Sequence, residues 1–100
     1  MNMDLSKELK VALNTGKVEI GYKVGLKTAG KKKAKLIVVA SNAPESLFAK
    51  IKQAAGSDIP IYKYPGSSWD LGGLCGKPFP VSTITIIDPG ESAILKVQEG

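Results

Sequence analysis

The chain has 100 residues, enough for a single domain with one hydrophobic core and too few for two. Its 43% hydrophobic and 23% charged residues are an ordinary globular balance, and its net charge is +5. Histidine is absent and Cys75 is alone, which excludes Ser-His-Asp and Cys-His catalysis, histidine metal ligands, a cysteine cluster and an internal disulfide.

No apolar run approaches the roughly 20 residues of a membrane helix. The opening MNMDLSKELK mixes charges and has no apolar signal stretch, so the expected location is cytoplasmic, with no membrane partner. Every one of the 14 basic residues is lysine. Seven of them (Lys17, 23, 27, 31, 32, 33 and 35) fall between residues 17 and 35 against a single acid, Glu19. A basic block of this kind suits a polyanion, either nucleic acid or an anionic membrane surface. The rest of the chain balances seven lysines against eight acids.

In chain order, Leu5, Leu9, Ala12 and Leu13 recur at helical spacing and predict a helix over 3–15, with Asp4 or Ser6 as its cap and Gly16 as its stop. Alternation predicts a strand over 17–20, broken by Gly21. A short helix follows over 22–29, ended by Gly30. The β-branched run AKLIVVA (34–40) reads as a central strand covered on both faces. Asn42 and Pro44 open a third helix over 44–55, Asn42 as its cap, and Gly56 closes it.

IPIYKY (59–64) is a strand whose Pro60 suggests a sheet edge. SSWDLGGLC (67–75) is a short helix capped by Ser67 or Ser68 and weakened by Gly72, Gly73 and Gly76. GKPFP (76–80) is a constrained loop, VSTITIID (81–88) a strand, DPG a turn, and 91–97 a last short helix. Helices alternating with strands predict an α/β fold with a parallel or mixed sheet between helices.

The chemistry collects in three loops. A helix beginning at Gly21 offers unpartnered N–H groups and the positive end of its dipole, and glycine allows close approach of another backbone. Lys23 and Lys27 share one face of that helix, an arrangement that can hold a sugar–phosphate backbone. Asn42 carries donors and an acceptor suited to a base edge, a role that competes with capping. Phe79, held between two prolines, is placed to meet an unstacked base, with Lys77 beside it for phosphate. The bland alternatives are solvated lysines and a Phe79 folded onto the sheet. Tyr62, Tyr64 and Trp69 read as core or subunit surface, and Cys75 as a small buried hydrophobe. Asp70, Asp88 and Glu91 fit caps and turns better than acid catalysis, so no enzyme and no cofactor is expected.

TGKVEIGYKVGLK, AKLIVVASNAP, LGGLCGKPFPV and IIDPGESAIL, in register over about residues 5–97, together resemble the L-thirty-e family of large-subunit ribosomal proteins. That family lies in the kink-turn RNA-binding class that also holds the L-seven-Ae proteins. The resemblance implies a three-layer α/β/α sandwich with a mixed four-stranded sheet. It implies binding to a kink-turn in ribosomal RNA beside neighbouring large-subunit proteins, by a chain that is monomeric when free. It assigns RNA contacts to Ile20, Gly21, Tyr22 and Lys23, to Asn42, and to Phe79 and Val81 against a flipped-out base. A kink-turn protein of a guide-RNA particle is the alternative.

Two departures stand out. Tyr22-Lys23 replaces the Asn-Glu pair of L-seven-Ae members, which favours the L-thirty-e branch. Leu47 and Phe48 stand where some members carry basic residues, so the resemblance carries over no RNA contact to the third helix. Without arginine, the chain lacks the best bidentate reader of guanine and is expected to lean on shape and on Asn42.

Overall fold

A computed structural model describes residues 5–95. The elements run α1 (Leu5–Thr15), β1 (Lys17–Ile20), α2 (Tyr22–Gly30), β2 (Leu36–Ala40), α3 (Glu45–Ala55), β3 (Ile61–Tyr64), α4 (Ser68–Leu74) and β4 (Thr83–Asp88). The first eight elements follow the expected order, but the last expected helix is corrected: 91–93 are turn and extended chain, held by hydrogen bonds of Ser92 and Ala93 to Glu8, and a short 3-10 turn stands at 94–95. Residues 3 and 4 of the first expected helix, with the Asp4 cap, and residues 96 and 97 of the last lie outside the described residues. Ser6 sits within α1.

The sheet order is β1-β4-β2-β3. β4 is antiparallel to both β1 and β2, and β2 is parallel to β3, so the sheet is mixed and only one of its pairings is parallel. β2 is buried along its whole length, as its continuous apolar run requires. β3 lies at an edge, consistent with Pro60 just before it.

Strand alternation divides the core in two. Leu36, Val38, Ala40, Ile84 and Ile86 face α1 and α4 and pack on Leu9, Ala12 and Leu71. Ile37 and Val39 face α2 and α3 and pack on Ala29, Ile51 and Ala55. The result is the α/β/α sandwich that the resemblance implied.

Two helix ends depart from expectation. α2 continues through Gly30, and the chain turns instead at Lys32, which takes a left-handed φ of 58°. α3 is preceded by Pro44, and no side chain caps it. The Asn42 cap is therefore corrected: its side chain is engaged 26 residues away. Ser67 does cap α4, in a reciprocal box with Asp70. After β4, Asp88 accepts from the Gly90 N–H at 2.9 Å, closing the expected turn. Glu8 on α1 then accepts the Ala93 N–H at 2.7 Å and secures the chain beyond it.

The loop 76–80 lies directly on α4. A Cβ on Gly72 would stand 2.1 Å from the Phe79 carbonyl oxygen, whereas one on Gly73 would meet nothing within 4 Å. Glycine in a helix costs about 1 kcal/mol relative to alanine. The two neighbours thus carry opposite signs. Gly73→Ala should raise the melting temperature by roughly 4–8 °C, the shift expected for about 1 kcal/mol in a domain of this size. Gly72→Ala should lower it, because the overlap with fixed backbone costs roughly 1–3 kcal/mol and outweighs the propensity gain. Thermal unfolding followed by circular dichroism checks both.

Candidate nucleic-acid interface

The topology decides which loops meet. Because β4 runs opposite to β1 and β2, its first residues lie at the same rim as their last. Three sets of backbone and side-chain hydrogen bonds fix that rim. The Gly21 N–H donates to the Thr83 carbonyl and the Ala40 N–H to the Ser82 carbonyl, each at 2.9 Å. The Ser68 N–H donates to Asn42 Oδ1 at 2.9 Å, and the Ser68 carbonyl accepts the Val81 N–H at 2.9 Å. Asn42 therefore satisfies one of the first N–H groups of α4, a cap to a helix other than the expected one. Its amide nitrogen makes no hydrogen bond within the described chain.

Gly21 precedes α2 with φ 125° and ψ 152°, a backbone conformation that disfavours any side chain. A Cβ there would meet nothing within 4 Å, so conformation, not crowding, requires glycine. The space above it is open, and no side chain caps α2. The first N–H groups of the helix are thus available to an anion arriving from the rim.

Next to Gly21 is a depression of about 410 Å³. Val18, Ile20, Gly21 and Tyr22 form one wall, and Lys77, Phe79, Pro80, Val81 and Ser82 the other. Six of the nine expected site residues (Ile20, Gly21, Tyr22, Lys77, Phe79 and Val81) are brought together here. Phe79 is 50% exposed, so the reading of a side chain folded back onto the sheet does not hold. Val81 is buried in the core and supplies the floor of the depression.

The other three stand apart. Lys23 is exposed in the first turn of α2 and Asn42 is exposed beside α4. Lys27 lines a different depression, of about 320 Å³, with Lys17, Glu19, Val24, Thr28, Lys31, Lys33 and Ile87. The run 31–33 does not act as one block. Lys32 folds onto the C-terminal end of α3, where its ammonium donates to the Ala54 and Ala55 carbonyls at 3.1 and 2.9 Å and lies 3.7 Å from Asp58. A cation at a helix C-terminus is favourable, which explains why this lysine turns inward.

Early α3 is occupied by the protein itself. Leu47 and Phe48 pack against the second core cluster, and the Lys63 ammonium lies 5.1 Å from the Phe48 ring centre. Trp69 is 64% exposed, so of the two expected places the core is excluded for it, whereas Tyr64 is buried and Tyr62 half-buried. Cys75 is half-buried beside the rim, and burial pushes its thiol pKa up, with Lys77 opposing. Sequence reasoning missed the structural uses of Lys32 and the Asn42 oxygen, whose partners lie more than 20 residues away, and of Gly72, which the loop 76–80 covers by folding back onto α4.

The chain is similar to named proteins over most of its length. Large ribosomal subunit protein eL30 of Saccharolobus solfataricus is 50% identical over 91 residues, covering 90% of this chain and 84% of that one. The proteins of the same name from Sulfurisphaera tokodaii and Methanothermobacter thermautotrophicus are 46% and 44% identical over 100 and 96 residues. They cover 93% and 95% of this chain and 90% and 98% of their own lengths. These relatives are named as ribosomal proteins, not as enzymes, in line with the expectation of a non-catalytic chain. A solved protein of unknown function from Bacillus halodurans C shares the fold, with a TM-score of 0.80 over 96% of both chains at 23% identity. Residues 3–96 match the ribosomal protein L7Ae/L30e/S12e/Gadd45 family, and the chain belongs to that family.

Proposed function

We propose that this chain is a structural protein of the large ribosomal subunit that binds a kink-turn in ribosomal RNA through the rim of its sheet. It does so as a single, monomeric RNA-binding domain of the cytoplasmic ribosome, beside neighbouring subunit proteins. The observation that carries the reading is the depression shared by Gly21, Lys77 and an exposed Phe79. It combines an uncapped helix start, a cation and an aromatic face, which are the features that meet phosphate and an unstacked base. The eL30 relatives, alike over most of their length, supply the ribosomal context.

The mechanism is selection of one RNA shape. A sharp kink brings phosphates of two strands close together and leaves a base unstacked. The first N–H groups of α2, with Lys23 and Lys77, receive phosphate at the rim. Phe79 covers the extruded base, and Val81 beneath it keeps the floor apolar. The unbonded amide of Asn42 offers donors to a base edge. A straight duplex presents neither the gathered phosphates nor the free base, so only the kinked conformer gains all of these contacts, and binding shifts the RNA toward it.

Two outcomes follow. Phe79→Ala should weaken binding to kink-turn RNA by about 1–3 kcal/mol, the usual worth of one aromatic–base contact, and leave binding to a straight duplex nearly unchanged. Asn42→Ala should lower both stability and kink preference, because it removes the acceptor of the Ser68 N–H as well as a base contact. Filter binding with kinked and fully paired RNAs at a fixed salt concentration checks both. Equal affinity of the unsubstituted protein for the two RNAs would end the kink-turn reading. Co-sedimentation with large ribosomal subunits, rather than with a smaller RNA particle, tests the ribosomal assignment.

A further inference from the structure

The lysine-rich depression on the outer side of α2 is not part of the rim. Strand β1 separates the two. Val18 and Ile20 lean toward the α1 and α4 side and line the rim depression, whereas Lys17 and Glu19 project to the α2 side and line the other. Lys27 and Lys31 come from α2, Lys33 from the turn after it, and Lys17 from the start of β1. All four are exposed, and none of their ammonium groups makes an ion pair or hydrogen bond within the described chain. The acid among them, Glu19, accepts the Thr28 hydroxyl. Four ammonium groups around one hollow therefore face solvent with a single carboxylate between them.

We infer that this face is a second RNA-binding surface, which takes the phosphate backbone of a duplex segment separate from the kinked loop at the rim. Lysines are flexible point charges without the planar fork that reads bases, so the surface suits a run of phosphates and carries no sequence preference. The neighbouring apolar groups are Val24 and Ile87, too little greasy surface for insertion into a bilayer. The row Lys23, Lys27 and Lys31 climbs one side of α2 from the rim to this face. Eight residues at 1.5 Å each put its ends about 12 Å apart along the helix. An RNA seated at the rim can thus continue its flanking stem along α2 without a gap in positive charge. The inference takes the identity of the polyanion from the rim reading but not the kink.

The test uses the triple variant Lys17→Gln, Lys31→Gln and Lys33→Gln, with a thermal melt to confirm folding. Two RNAs share one kink-turn, one with stems trimmed to the loop and one with a long flanking stem. Each lysine lost from a phosphate should remove about 0.7–0.9 from the log–log salt slope, or roughly 2–3 for the variant, on the long-stem RNA alone. Affinity for the trimmed RNA, and the ratio of kinked to straight binding, should stay as in the unsubstituted protein. An unchanged slope on the long stem, or an equal loss on the trimmed RNA, would overturn the second surface. So would retention of the unsubstituted protein, but not the variant, on phosphatidylserine vesicles as firmly as on the long-stem RNA. A failure of the kink reading would appear elsewhere, as equal binding of kinked and straight RNA by the unsubstituted protein.

Discussion

The site depends on one antiparallel insertion: β4, the last strand in the chain, lies between β1 and β2 and runs against both. A parallel β4 would send its first residues, and with them Phe79 and Val81, to the opposite end of the sheet from Gly21 and Asn42. The carbonyls of Ser82 and Thr83 then take the N–H groups of Ala40 and Gly21 at 2.9 Å, so the last strand staples the ends of the two others. Each bond is worth only about 1 kcal/mol net. Their effect is geometric, because they fix three loops from distant parts of the chain against one another.

Helix α4 completes the frame. Asn42 holds its first N–H, its Ser68 carbonyl holds Val81, and Gly72 lets the Phe79 backbone rest on its side. An aromatic side chain half-exposed in a loop would normally be loose and would lose entropy on stacking with a base. Two flanking prolines and a backbone pressed onto a helix remove much of that freedom beforehand. The rim is thus already shaped in the free chain. Lysine tails provide the adaptable part, and backbone and Phe79 the fixed part.

Much of the architecture was legible in the residues. The run Leu36–Ala40 is apolar throughout because both faces are covered, and Pro60 announces an edge strand. Gly56 ends α3 with a φ of 63°, and Ser67 with Asp70 forms a local cap of the expected type. These signals are short-range, so sequence carries them. Strand order is not short-range, and nothing in VSTITIID says that it will lie between the first two strands. The same limit hid the true partner of Asn42 and the inward turn of Lys32 toward the end of α3, more than 20 residues on; the difference between Gly72 and Gly73 depends on how the loop 76–80 folds back over α4. The charge count found the basic segment but not its division, because β1 sends alternate side chains to opposite faces and α2 is long enough to leave the rim.

The central claim is that three sequence-distant loops act as one preformed seat for kinked RNA. Amide chemical shifts of the 15N-labelled protein, followed during titration with a kink-turn RNA, test it most directly. The account predicts that Gly21 and Lys23, Ser68 beside Asn42, and Phe79 and Val81 move together and saturate at the same RNA ratio. Shifts confined to Lys17, Lys27, Lys31 and Lys33, with those loops unmoved, would contradict it.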